Sequence, residues 1–192
     1  MRKVDAAEWL LSMTTTPERA AATAGDLTEE APKRGPLWFW WSLSRTTASL
    51  VWRTFAETPL LTMRVALRAF LLEVKMLALF TVILNGYIAG FSLEQRGIVL
   101  ASEAMMMGCY FCVGELVARR APGRELPASL AFFSMDQVLR IAIQALLPAE
   151  STARNPALPF LIPVLIASNL VALFAGIHLT RKQSAQARPI SR

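Results

Sequence analysis

Charge is scarce in this chain. Of its 192 residues only 18% are Asp, Glu, Lys or Arg, while 54% are hydrophobic and the mean hydropathy is +0.41. A soluble domain of this length needs more charge to solvate its surface. Histidine occurs once and cysteine twice, which excludes a disulfide scaffold and leaves no His/Cys set with zinc spacing. There is no Gly-rich phosphate loop and no Ser-His-Asp arrangement. The expectation is therefore a protein without cofactor, metal or enzymatic activity. A net charge of +6 points to nucleic acid when it gathers on a soluble face. Here its distribution has another explanation, and no nucleic-acid partner is expected.

What the chain has in quantity is long apolar runs. Ala69–Phe91, Gly97–Ala118, Leu126–Leu147 and Leu158–Thr180 are each close to the roughly 20 residues that cross a hydrocarbon core. Sixteen cations lie before the first run, between the second and third, or after the fourth. Two, Arg96 and Arg154, lie in the other connections. This positive-inside bias predicts four spans with both termini cytoplasmic and short outer loops, Ser92–Arg96 and Pro148–Ala157. Met1-Arg2-Lys3 is followed by an apolar run that Asp5 and Glu8 interrupt, so no signal peptide is expected and the first span directs insertion. The predicted fold class is an all-α integral membrane protein: a four-helix transmembrane bundle over residues 69–180 and a cytoplasmic tail, 181–192.

Ahead of the bundle, residues 1–35 read as a cytoplasmic helical prefix. Asp5 with Glu8 marks a first helix start, and Thr16-Pro17-Glu18 a second. The second helix is expected to run to Glu30 and to stop near Pro32 and Gly35, leaving Lys33–Pro36 as a basic turn. Residues 36–68 read as an interfacial amphipathic helix and a linker. Ser42, Arg45, Thr46, Ser49, Arg53 and Glu57 form its polar stripe, opposite Trp40, Leu43, Leu50 and Val51, with Trp52 and Phe55 at the flank. Trp38, Trp40, Trp41 and Trp52 are the expected interfacial anchors, so the lipid bilayer is the first partner. Packing of this helix on its soluble neighbours is the competing reading. Pro59 should end the helix.

The prefix carries a resemblance. Trp9-Leu10-Leu11, Pro17–Arg19, the string Gly25-Asp26-Leu27-Thr28-Glu29-Glu30 and the Trp40-Trp41 cluster resemble the cytoplasmic permease-prefix domain of bacterial macrolide-exporter-like ABC transporter permeases. The likeness covers Ala6–Leu50. Ala31-Pro32 stands where that family has an aromatic or aliphatic residue, and the permease's own helices and large extracytoplasmic domain are not in this sequence. The resemblance implies a related cytoplasmic module on a different membrane body, in the bacterial inner membrane. Asp26, Glu29 and Glu30 lie near the C-terminal end of their helix, against its dipole. The cation that meets them is either the chain's own Lys33 or Arg34, or a basic surface on another protein.

Within the spans, ionisable groups are costly and face protein or water. Glu73, Lys75 and Glu115 lie near cytoplasmic ends and read as edge pairs. Asp136 and Arg140 share a face of span three, about 14 residues or roughly 21 Å inside for Arg140. Glu103 on span two falls at nearly the same depth. Glu103, Asp136 and Arg140 are thus predicted to form one intramembrane charged cluster, which either fixes helix pairing or serves a proton or ligand. Cys109-Tyr110-Phe111-Cys112 is a C-x-x-C without a second pair, and Met105–Met107 point in three directions, so both read as packing. Gly86-x3-Gly90 and Ala104-x3-Gly108 are small-residue spacings that permit close helix approach, either within the chain or between copies.

These readings converge on an accessory or regulatory membrane protein acting through contacts with another membrane protein, possible partners including an ABC-type permease system. The alternative is a small homo-oligomeric transporter or channel built on the charged cluster. A membrane thiol oxidoreductase using Cys109 and Cys112 is a third reading.

Overall fold

The computed structural model describes residues 3–90, 95–146 and 158–186, with side chains for 4–83, 101–142, 163–184 and 186. Seven helices account for nearly all of it: α1 (Lys3–Ser12), α2 (Pro17–Arg34), α3 (Pro36–Glu57), α4 (Pro59–Gly90), α5 (Gln95–Arg120), α6 (Glu125–Leu146) and α7 (Leu158–Gln186). No strand occurs among the described residues. Each of the four apolar runs lies on one of the helices α4–α7, apart from Phe91 and Leu147, which fall outside the described residues together with the second predicted outer loop and residues 92–94 of the first; Gln95 and Arg96, expected in that loop, begin α5. One segment among the described residues, Pro163–Ser184, is by itself long and apolar enough to cross a membrane.

Prolines punctuate the first half. Pro17 and Pro36 sit at or next to the first positions of α2 and α3, where the missing N–H costs nothing. Gly35, at φ +92°, turns the chain between them, and its N–H donates to the Ala31 carbonyl at 2.8 Å. Two expectations need correction here. Pro32 does not stop α2, because in the last turn it forfeits only one backbone hydrogen bond, and Lys33 and Arg34 are helical rather than a turn. Residues 59–68, expected as linker, are the first turns of α4, started by Pro59 behind a non-helical Thr58 (φ −140°, ψ 57°).

The helices sort into two units. The first comprises Met1–Ala66 together with Ala121–Ala131. Its core is small: Ala7 and Leu11 of α1, Ala20 and Ala24 of α2, and Phe39 and Leu43 of α3, flanked by Leu10, Leu27, Ala31 and Leu50. The alanine face of α2 lets α1 and α3 approach it closely. The α5–α6 connection belongs to this unit. The Leu126 N–H donates to the Met13 carbonyl at 3.1 Å, and Arg124 Nη1 donates to Thr58 Oγ1 at 3.2 Å. Gly123, at φ +73°, would place a Cβ 3.3 Å from the Thr15 carbonyl. Glu125, Leu126, Ala128 and Ser129 are buried, so the start of α6 belongs to this unit.

The second unit comprises Leu67–Arg120 and Phe132–Arg192. Its tightest packing is between α5 and α7. A Cβ on Gly114 would run into the Leu173 carbonyl, and one on Gly176 into the Phe111 carbonyl. The two backbones are in contact because neither glycine has a side chain. Glu103 and Ser168 meet farther along the pair, which makes α5 and α7 parallel. By contrast, Tyr110 stacks edge-on against Phe132 while Met106 lies near Arg140, so α5 and α6 are antiparallel. Large apolar side chains remain exposed on α4, α6 and α7, among them Leu79, Val82, Val138, Ile141, Val164 and Val171.

Candidate functional site: a charged cluster on three helices

Asp136 is the centre of the polar cluster in the second unit. The Arg140 Nε–H reaches both of its oxygens, at 2.9 and 2.8 Å. The Tyr110 hydroxyl of α5 donates to Oδ2 at 2.5 Å, and Gln137 Nε2 donates to the same atom at 3.1 Å. Arg140 Nη2 also pairs with Glu73 Oε1 of α4 at 3.6 Å. Three helices thus hold two carboxylates around one guanidinium, tying α4, α5 and α6 together. The acids are buried, with side chains 1% exposed at Glu73 and 3% at Asp136, whereas the Arg140 side chain is 38% exposed.

The predicted cluster is therefore right in two members and wrong in the third. Asp136 and Arg140 pair as their i, i+4 spacing indicates. Glu103 instead accepts a hydrogen bond from Ser168 of α7 at 3.1 Å. Glu73, read from the sequence as an edge residue, takes its place. The reason lies in the register. Met106 of α5 lies near Arg140, so Glu103, three residues nearer the start of α5, falls past Arg140 and beside Ser168 of α7.

Tyr110 and Gln137 were not anticipated. Tyr110 lies between the two cysteines, and its phenol gives the buried Asp136 carboxylate a hydroxyl donor from α5. Cys109 is buried and Cys112 half-buried, both free thiols on one helix. Glu115 forms the expected pair with Arg119, at 3.4 Å. Gly108 has no atom within 4 Å of a Cβ position, so the close approach within the chain is at Gly114, and the Ala104/Gly108 spacing makes no internal contact at Gly108. Gly86 and Gly90 end α4, and their surroundings fall outside the described residues.

Comparison of the chain with protein families, curated proteins and solved structures finds no match.

The remaining sequence-predicted residues lie in the first unit. Gly25, Asp26, Leu27, Glu29 and Glu30 are on α2. Leu27 packs on the core, while Asp26, Glu29 and Glu30 are exposed and Glu30 pairs with Arg34 at 3.4 Å. On α3, Phe39, Leu43 and Thr47 are buried, and the Thr47 hydroxyl caps the Leu43 carbonyl at 2.8 Å. Trp38 is half-buried beneath the Arg34 guanidinium, 4.9 Å from the ring centre. Trp40, Trp41 and Trp52 are exposed. Arg53 donates to Glu57 at 2.6 Å, and this hydrogen bond holds the Glu57 carboxyl below its ordinary range.

Proposed function

We propose that the chain is a four-span integral protein of the bacterial inner membrane, with both termini cytoplasmic, that acts as an accessory or regulatory subunit by contacting another membrane protein. Three features support the membrane reading: the sixteen-to-two distribution of cations, the apolar outer surfaces of α4, α6 and α7, and alternating helix directions, with α5 antiparallel to α6 and parallel to α7. The prefix and the α5–α6 connection fold as one unit, which agrees with both lying on one side of a bilayer.

The observation that carries the functional reading is the exposure of Arg140. Its guanidinium is held by two buried acids, yet 38% of the side chain reaches the surface, beside exposed Ile141. A charge on a lipid-facing surface is expensive, and such residues face protein or water. A second membrane protein seated there would cover it. The prefix resemblance over Ala6–Leu50 makes an ABC-type permease system the first partner class to examine. Ile141→Trp adds bulk at the contact without touching the cluster. The chain extracted in gentle detergent should form a heteromeric complex, lost in Ile141→Trp. A symmetric oligomer of this chain alone, with an aqueous pore, would instead support the second reading, a small transporter built around Glu73, Asp136 and Arg140.

A further inference from the structure

We infer that α3 lies on the surface of an anionic bilayer along a second apolar face, distinct from the one that packs on α1 and α2. Phe39, Leu43, Thr47 and Leu50 make the covered face. Leu37, Trp41, Ala48, Val51 and Phe55 recur three, four or seven residues apart and line another side of the helix, with Trp40 and Trp52 at its margins. Leu37 is 85% exposed, Trp41 71% and Trp52 77%. The exposed apolar run continues onto the first turns of α4 through Leu60, Leu61 and Met63.

Charge complementarity selects lipid as the occupant. From Lys3 to Arg34 the chain carries Lys3, Arg19, Lys33 and Arg34 against Asp5, Glu8, Glu18, Asp26, Glu29 and Glu30. From Pro36 to Arg68 it carries Arg45, Arg53, Arg64 and Arg68 against Glu57 alone. The acids are thus concentrated on α1 and α2, while Arg45 borders the open face of α3 and exposed Arg64 stands among Leu60, Leu61 and Met63 of α4. Exposed Trp and Leu beside Arg, on a helix leading into an apolar run, suit an anionic headgroup layer. A second copy of the chain would bring the same arginines together and be repelled. The inference rests on the membrane reading above.

All five tryptophans, Trp9, Trp38, Trp40, Trp41 and Trp52, lie in the first unit, so intrinsic fluorescence of the whole chain reports on it alone. The full-length protein is incorporated into nanodiscs of phosphatidylcholine with phosphatidylglycerol, with or without bromine near the glycerol end of the acyl chains. Blue-shifted emission, strongly quenched by bromolipid and shielded from iodide, is expected. Trp41→Phe/Trp52→Phe should lose most of that quenching. Quenching by iodide but not by bromolipid would overturn the proposal in favour of a water-facing helix. Resistance to both would overturn it in favour of a protein cover. Equal bromolipid quenching in phosphatidylcholine alone would refute the charge argument. Failure of the chain to enter nanodiscs is a separate result, which rejects the membrane reading itself.

Discussion

Replacing Gly114 by alanine should destabilise the protein, although alanine is the better helix former by about 1 kcal/mol. The new methyl group meets the Leu173 carbonyl, and a main-chain atom cannot rotate aside as a side chain can. Helices α5 and α7 must therefore separate, loosening the contacts of Val113, Val117, Leu173 and Ile177, all buried at present. Overpacking costs about 1–3 kcal/mol, and a backbone obstacle places this case in the upper half of that range. Subtracting the propensity gain leaves a net loss of about 1–2 kcal/mol. Gly108 provides the control, since a Cβ there has open space on the same helix. Gly108→Ala should gain about 0.5–1 kcal/mol. Loss of helicity in detergent, followed by heating or by titration with a denaturing detergent, measures both. Gly114→Ala/Gly176→Ala should cost less than the sum of its parts, because one separation of the seam accommodates both methyl groups. If Gly114→Ala stabilises as much as Gly108→Ala, the contact between the two backbones does not exist.

The charged cluster makes a second set of expectations. Arg140→Ala should cost about 3 kcal/mol, the lower end for a broken buried pair, because the guanidinium is partly exposed. Adding Glu73→Gln should restore part of the loss in the same unfolding assay, whereas adding Glu103→Gln should be additive to within about 0.5 kcal/mol. Gly123→Ala should destabilise by about 1–2 kcal/mol, since φ is +73° and the Thr15 carbonyl crowds the new atom. Titration of Glu57, followed by NMR, should occur at lower pH in the parent chain than in Arg53→Gln. With its folded value lowered, whatever stability this exposed pair adds is present above the ordinary carboxylate range and lost as pH falls through the lowered value.

Helix starts were legible at Thr16-Pro17 and Pro36, because those signals act within one turn, whereas Pro59 was read only as the end of α3 and also starts α4. Helix ends were less so: a proline in the last turn of α2 reads as a stop, although there is little hydrogen bonding left to break. The Asp136–Arg140 pair was legible because it is local. Glu73 was not, because its meeting with Arg140 depends on how α4 packs against α6, a long-range fact with no local signature. The α5–α7 seam escaped for a related reason. Small-residue spacing was sought within a single helix, whereas Gly114 and Gly176 act as one glycine from each partner. In α3 the pattern contained two apolar faces, and only the packing of α1 and α2 decides which of them is covered.

The four-span reading is tested most directly by where the connections and the tail lie. Reporters fused after Arg96, Arg124 and Arg154 and at Arg192 separate the two sides of the membrane, since sixteen cations lie on one side of the assigned topology and two on the other. Fusions after Arg96 and Arg154 should report the outside, and those after Arg124 and at Arg192 the cytoplasm. A fusion at Arg192 that reports the outside, or one after Arg124 that does, would contradict it.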